Sequence, residues 1–193
     1  MNLLKRIQYN APVTLTFALI SLVALILGEL TDGWTTDMFF CVYRSEWYNP
    51  LTYLRLFTHV LGHANLTHYT NNMMLILLLG PMLEEKYGTK NMIEMIAVVA
   101  VVTGVVNLIL FPYSGLLGAS GVVFMMIILS SMSGGTKGSI PLTLILASII
   151  YVGAEILAGL RAQDNISQLT HIVGGILGCI YGLILGTTRG RRR

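Results

Sequence analysis

The chain has 193 residues, 54% of them hydrophobic and only 11% charged, with a net charge of +3, a mean hydropathy of +0.72 and a pI near 9.0. An ordinary soluble domain is roughly a quarter charged, so a water-soluble globule is excluded and apolar spans of about 20 residues facing lipid are expected. The 12 Lys and Arg are scattered and lie mostly at the ends of apolar runs, which fits membrane topology rather than a nucleic-acid footprint.

Apolar runs between polar breaks predict six transmembrane helices at about 12–30, 67–86, 92–111, 120–132, 141–160 and 168–187, in a single all-α domain over 1–193. Lys5 and Arg6 precede the first run, but no small-x-small cleavage pattern follows it, so it reads as a retained helix and not a signal peptide. The outer loop 31–66 carries Trp34, Tyr43, Trp47 and Tyr48, then Arg55, His59 and His63, the composition of a segment lying in the membrane interface. Cys41 in this loop and Cys179 in the last helix are expected to stay unbridged. On the second helix His68 and Asn72 are four apart and share a face. Asn107 on the third, with Met73, Met74, Met125 and Met126, reads as packing.

The fourth run is short, closed by the polar stretch Ser133-Gly134-Gly135-Thr136-Lys137-Gly138-Ser139. At 1.5 Å per residue it spans about 20 Å of a hydrocarbon core roughly 30 Å thick. Ser120 is thus placed roughly 10 Å below the outer surface, with Pro112-Tyr113-Ser114-Gly115 at membrane depth as irregular backbone. Such backbone is tolerated only where it packs on protein or lines a wet cavity, so a water-accessible cavity near Ser120 is expected. Glu155 is the sole mid-span carboxylate of the fifth helix. His171 stands in the first turn of the sixth, in line with Gly174, Gly178, Gly182 and nearly Gly186, a stripe that lets another helix come close. Both termini fall on one side of the membrane. If that side is the cytoplasm it holds Lys5, Arg6, Lys86, Lys90, Lys137, Arg189 and the terminal arginines, leaving outside only Arg44, Arg55 and Arg161, as the positive-inside rule requires.

Polar groups inside a membrane are costly and therefore mark function. In Gly118-Ala119-Ser120-Gly121 the glycines permit a tight entry that exposes the serine oxygen at a positive helix N-terminus. Ser120 needs a base, and His171 is the side chain whose pKa suits the task. His68, Asn72 and the Ser120 amide are available as donors to an oxyanion. No acid stands within helices two, four or six near their outer ends, so the arrangement is a dyad, with Glu155 the only mid-span candidate for a third member. His59 and His63 are four apart but lack an H-E-x-x-H frame and an acidic third ligand, so hydrogen bonds that stiffen the loop are expected, and no metal.

These residues resemble the rhomboid intramembrane serine proteases. Arg55-Leu-Phe-Thr58-His59 followed by His63, His68 and Asn72 is similar to the family's R-x-x-T-H…H-x-x-x-x-H-x-x-x-N pattern, and Glu84-Glu85-Lys86-Tyr87-Gly88 to its E-x-x-x-G turn. Gly118-Ala119-Ser120-Gly121 resembles G-x-S-G, and His171-Ile-Val-Gly174-Gly-Ile-Leu-Gly178 resembles H-x-x-G-x-x-x-G. The resemblance covers 12–187. It implies a Ser120–His171 dyad, an oxyanion site of His68, Asn72, Gly118 and the Ser120 amide, supporting roles for Phe124, Gly174, Gly178 and Arg55, and a lateral gate in helix five. The chain departs from the pattern at Leu54, where the family often has Trp, and at Phe124, commonly Tyr; Glu155 matches no motif. The implied protein is a serine endopeptidase without cofactors, probing no nucleic acid. It would cut transmembrane substrates that carry helix-destabilising residues, in or near a bacterial inner (plasma) membrane, with both termini cytoplasmic. A catalytically inactive rhomboid-like protein that binds membrane helices is the alternative, and a small transporter a third reading.

Overall fold

The computed structural model describes residues 8–133 and 165–189, with positions 142, 145, 146, 149, 150, 153 and 157 between them. The regular elements are α1 (Pro12–Leu30), α2 (Trp34–Phe39), α3 (Pro50–Thr58) running into a 3-10 turn (His59–Leu61), α4 (Leu66–Tyr87), α5 (Thr89–Leu110), α6 (Ser120–Ser133) and α7 (Asn165–Arg189). The helix expected at 141–160, with Glu155, lies largely outside the described residues. α1 and α5 are long and apolar enough to cross a membrane, with mean hydropathy of 2.2 and 2.4 over their spanning windows, while Ser120–Met132 and Leu169–Leu185 are shorter apolar helices.

α6 is the hub. It packs most extensively on α7, and also on α4 and α5. Val122, Val123, Met125, Met126 and Leu129 are each at most 1% exposed. The outward surfaces carry large apolar side chains instead, such as Leu19, Ile20 and Val23 on α1 and Ile176, Leu183 and Ile184 on α7. That is the arrangement lipid demands, because hydrocarbon cannot solvate polar groups. Met73, Met125 and Met126 fill the interior as expected, whereas Met74 points outward and packs on nothing inside.

The segment 31–66, expected to be loop throughout, contains α2 and α3. α2, at six residues, is too short to show an apolar period, whereas α3 is amphipathic over nine; each starts from a local device that composition does not reveal. Gly33 turns into α2 through a left-handed φ of 88°. The Asn49 side chain accepts from the Leu51 amide at 3.0 Å and Pro50 stands at the first helical position, both standard ways to begin a helix. The segment folds back on itself, the Thr58 hydroxyl donating to the Phe39 carbonyl, and is tied to the stretch before α6, where Val42 and Leu116 exchange backbone hydrogen bonds of 2.9 Å.

The Glu84–Gly88 turn joins three helices. Glu84 Oε1 accepts from the Val13 amide at 2.9 Å, and Oε2 accepts from the Thr14 amide and hydroxyl at 3.0 and 2.9 Å. A buried carboxylate thus satisfies first-turn donors of α1 and meets the positive end of its dipole. The Thr89 hydroxyl at the start of α5 donates to the same carboxylate at 3.3 Å. Gly88 ends α4 and begins α5 at φ 87°, so the spacing of four puts the acid one turn inside the helix it terminates. Replacing Glu84 with Ala should lower the unfolding free energy in detergent by about 2–4 kcal/mol, through loss of charge-assisted bonds to donors that stay buried. Glu84→Gln should cost about half as much. Thermal unfolding of the purified variants reads both, and an unchanged Glu84→Ala transition would remove the turn from this role.

Candidate active site

The site is built where α6 and α7 meet. At Gly174 an added Cβ would lie 2.1 Å from the Gly121 carbonyl oxygen, and at Gly178 one would lie 2.7 Å from the Met125 carbonyl oxygen. The two backbones are therefore in direct contact, which only residues without a side chain allow. Gly182 extends the same stripe against Met132. This contact sets Thr170 and His171 beside the first turn of α6, since a Cβ on Gly121 would meet Thr170 Cγ2 at 3.1 Å. The His171 imidazole lies flat on the Phe124 ring, centroids 4.2 Å apart and planes 9° from parallel. Ser120 is one helical turn above Phe124 on the same face, so Ser120 and His171 face the same corner between the helices. They are 8% and 6% exposed. Neither the serine nor the histidine is an open surface group.

The depth of this corner can be read against α5. A Cβ on Gly121 would lie 3.3 Å from Thr103 Cγ2. Thr103 is seven residues from the end of α5, about 10 Å below it. The irregular segment 111–119 descends to that level with its polar backbone satisfied by protein. The Leu116 amide donates to Val42 and the Gly118 amide to the His59 carbonyl, both at 2.9 Å. The Asn107 side chain donates to the Ser114 carbonyl at 3.1 Å and the Val42 carbonyl at 3.4 Å. Asn107 is therefore not passive packing. It is a polar clamp, and its signal in the sequence was an amide standing alone in an apolar helix.

Gly118 takes a φ of 121°, open to glycine and strained for other residues. The His68 imidazole lies over it, 2.7 Å from where a Cβ would be. The Ala64 amide makes a long 3.5 Å approach to His68 Nδ1, which leaves Nε2 as the protonated nitrogen on the Gly118 side. His68 is set in place by Asn65, whose side chain caps α4 by accepting from the His68 amide at 2.9 Å. Asn72, fully buried, donates one amide hydrogen to the His68 carbonyl at 2.9 Å. Of the donors expected for an oxyanion, Gly118 requires correction. Its N–H is already bonded to His59, so it contributes space for His68 and no hydrogen bond. The Ser120 amide, in the first turn of α6, has no acceptor within its own helix.

The loop histidines do what the spacing led us to expect. His59 Nε2 donates to the Ala100 carbonyl at 2.9 Å and His63 Nδ1 to the Leu61 carbonyl at 3.1 Å. Arg55 is 2% exposed, with its guanidinium 4.2 Å above the Tyr43 ring. Tyr43 is a partner the sequence did not pair with it. Cys41 and Cys179 are both free, and burial, with Asp37 adding to it, pushes the Cys41 thiol up to about 11. Among the described residues no cluster of His, Cys, Asp or Glu is arranged to hold a metal ion.

A family model described as the Rhomboid domain matches residues 50–188, well over half of the chain. No curated protein matches it.

Gly174→Ala should weaken the α6–α7 contact by about 1–3 kcal/mol or more, because the new methyl meets backbone that cannot step aside. At Gly175 an added Cβ would lie 3.7 Å from Ile128 Cγ1, an ordinary contact. Gly175→Ala should therefore leave the thermal transition unchanged or slightly raised, and equal losses in the two variants would contradict the assignment. The loop histidines also set a pH dependence. Burial holds His59 and His63 down at about 4, below the ordinary 6.5 or so. Their contribution to stability is complete above that ordinary value and is lost as pH falls from about 6.5 to about 4, where only the unfolded chain takes up the protons. The unfolding temperature should drop between pH 7.5 and pH 5, and the drop should shrink in His59→Gln.

Proposed function

The chain belongs to the rhomboid family, and on that premise we propose that it is an intramembrane serine endopeptidase acting through Ser120 and His171. The family is membrane-embedded, and the apolar helices fit that setting. The observation that carries the reading is the placing of His171: stacked on Phe124, one turn from Ser120, on a helix held against α6 at van der Waals limits. A base so confined loses little entropy in reaching the transition-state geometry.

His171 takes the Ser120 proton as the oxygen attacks the scissile carbonyl. The oxyanion forms at the N-terminus of α6, where the Ser120 amide and the helix dipole favour negative charge. His68 Nε2 and the Asn72 amide supply the remaining donors. His171 then gives the proton to the departing amine, and water completes hydrolysis of the acyl-enzyme through the same steps. The substrates on this reading are transmembrane helices. Their carbonyls are engaged in helical hydrogen bonds, so the segment at the cut must unwind, which Gly, Pro or polar residues make easier. Six spans, cytoplasmic termini and a bacterial inner membrane complete the reading, resting on the charge distribution of the chain.

A fluorophosphonate should label the purified protein and fail to label Ser120→Ala or His171→Ala. Cleavage of a transmembrane substrate should fall by about a thousandfold or more in either variant. A folded parent protein that labels no better than Ser120→Ala, with a fluorophosphonate and an isocoumarin alike, would overturn the proteolytic reading in favour of a rhomboid-fold protein that binds membrane helices without cutting them.

A further inference from the structure

Behind the segment that leads into Ser120 is a pocket of about 340 Å³ which the reaction above does not use. Glu29, Asp32 and Asp37, from the end of α1 and the start of α2, line one side, and His63, Ala64 and Leu117 the other. The three carboxylates are exposed, and no described basic side chain pairs with them. Acidic groups around an opening are common on protein surfaces, but His63 is not a surface group. It is 2% exposed. Its Nδ1 faces the Leu61 carbonyl at 3.1 Å, and because a carbonyl only accepts, Nδ1 carries the proton. Nε2 is therefore a bare acceptor on the opposite ring edge. It is buried and has no hydrogen-bond partner.

A buried unpaired acceptor is costly, and His63, which carries it, lines a pocket whose other polar side chains are the three carboxylates and the Thr36 hydroxyl. Burial keeps His63 neutral at physiological pH, with its pKa held down at about 4, so it adds no positive charge of its own. The missing counterpart is a cationic donor. The carboxylates are not gathered tightly enough to share a metal ion. Their spread suits an ammonium or guanidinium group on a long side chain, which can bond to several acceptors around a cavity.

The position of the pocket says whose side chain that is. Leu117 adjoins Gly118, over which His68 lies, and the His63 and His68 rings meet edge to face at 5.1 Å. Leu117 precedes Ser120 by three residues, at most about 10 Å of chain. We propose that this pocket receives a lysine or arginine side chain of the bound polypeptide, within a few residues of the bond presented to Ser120. The identity of that polypeptide as a substrate rests on the proteolytic reading above. Because membrane proteins keep most Lys and Arg on the cytoplasmic side, a basic residue in an outer flank is uncommon, and a pocket that selects for it narrows the range of helices accepted.

The test separates binding from catalysis. Full-length Ser120→Ala protein in detergent micelles is titrated with fluorescent transmembrane peptides that differ only by Arg or Gln, scanned over the first six positions of the outer flank. At one or two of these positions the Arg peptide should bind about tenfold tighter at low salt, with the margin falling as salt rises. Adding Glu29→Gln, Asp32→Asn and Asp37→Asn together should bring the ratio to about one. Asp37→Asn alone serves if the triple variant does not fold, and should reduce the ratio. Equal binding at all six positions, or a preference that survives neutralisation, overturns the proposal. Fluorophosphonate labelling of the protein with Ser120 intact runs in parallel. An Arg preference without labelling upholds the pocket and sinks the protease; labelling without a preference does the reverse.

Discussion

The geometry of the site depends on one contact, the meeting of α6 and α7 backbone to backbone at Gly121 and Gly174. Every other feature is arranged around it. Were the helices held apart by ordinary side chains, at the 8–10 Å usual between helix axes, the imidazole of His171 would not lie flat on Phe124 one turn from Ser120. In lipid no hydrophobic force drives two apolar helices together, so close packing and interhelical polar contacts must hold them. The glycine stripe supplies the packing. α6 serves as the buried post against which α4, α5 and α7 lean.

Bringing a serine to about 10 Å below the end of α5 forces nine residues of irregular backbone to the same depth. Each unsatisfied N–H or C=O there would cost several kcal/mol. The structure meets this with groups from distant parts of the chain. The His59 carbonyl takes the Gly118 amide, Val42 pairs with Leu116, and Asn107 holds Ser114. The helical segment between α1 and α4 is consequently more than an interfacial float. It carries the histidine that reaches Ala100, ten residues inside α5, and by its own main chain it positions the residue under His68. The opposite end of the molecule is tied by Glu84, so the fold has a buried polar anchor at each end of an apolar interior.

Those anchors divide the labour between stability and reaction. Glu84 serves a helix terminus and is fully engaged. His59 is engaged at Nε2 and through its carbonyl. His171 is set by an aromatic stack and a glycine stripe, and His68 by an N-cap at Asn65 and the absence of a side chain at Gly118.

Much was legible in the chain alone. A charge content too low for water marked a membrane protein; apolar runs placed α1 to the residue and α4, α5, α6 and α7 within three; and the polar exceptions in those runs, Ser120, His68, Asn72 and His171, were the residues the fold gathers at one end. Periodicity and solvation are local, so they survive in sequence. The six-residue helix α2 did not, because a turn or two of helix begun by a cap has no period to detect, and the amphipathic period of α3 was overlooked among the polar residues of the outer loop. The clamp at Asn107, the pairing of Arg55 with Tyr43 and the engagement of the Gly118 amide depend on which groups lie beside them, and those come from positions 7 to 65 residues away. The same holds for the acidic pocket, whose carboxylates are brought together only by the fold. Only the tertiary structure decides what a donor or acceptor finds across such a gap, because hydrogen bonding is settled by contact in space and not by residue type.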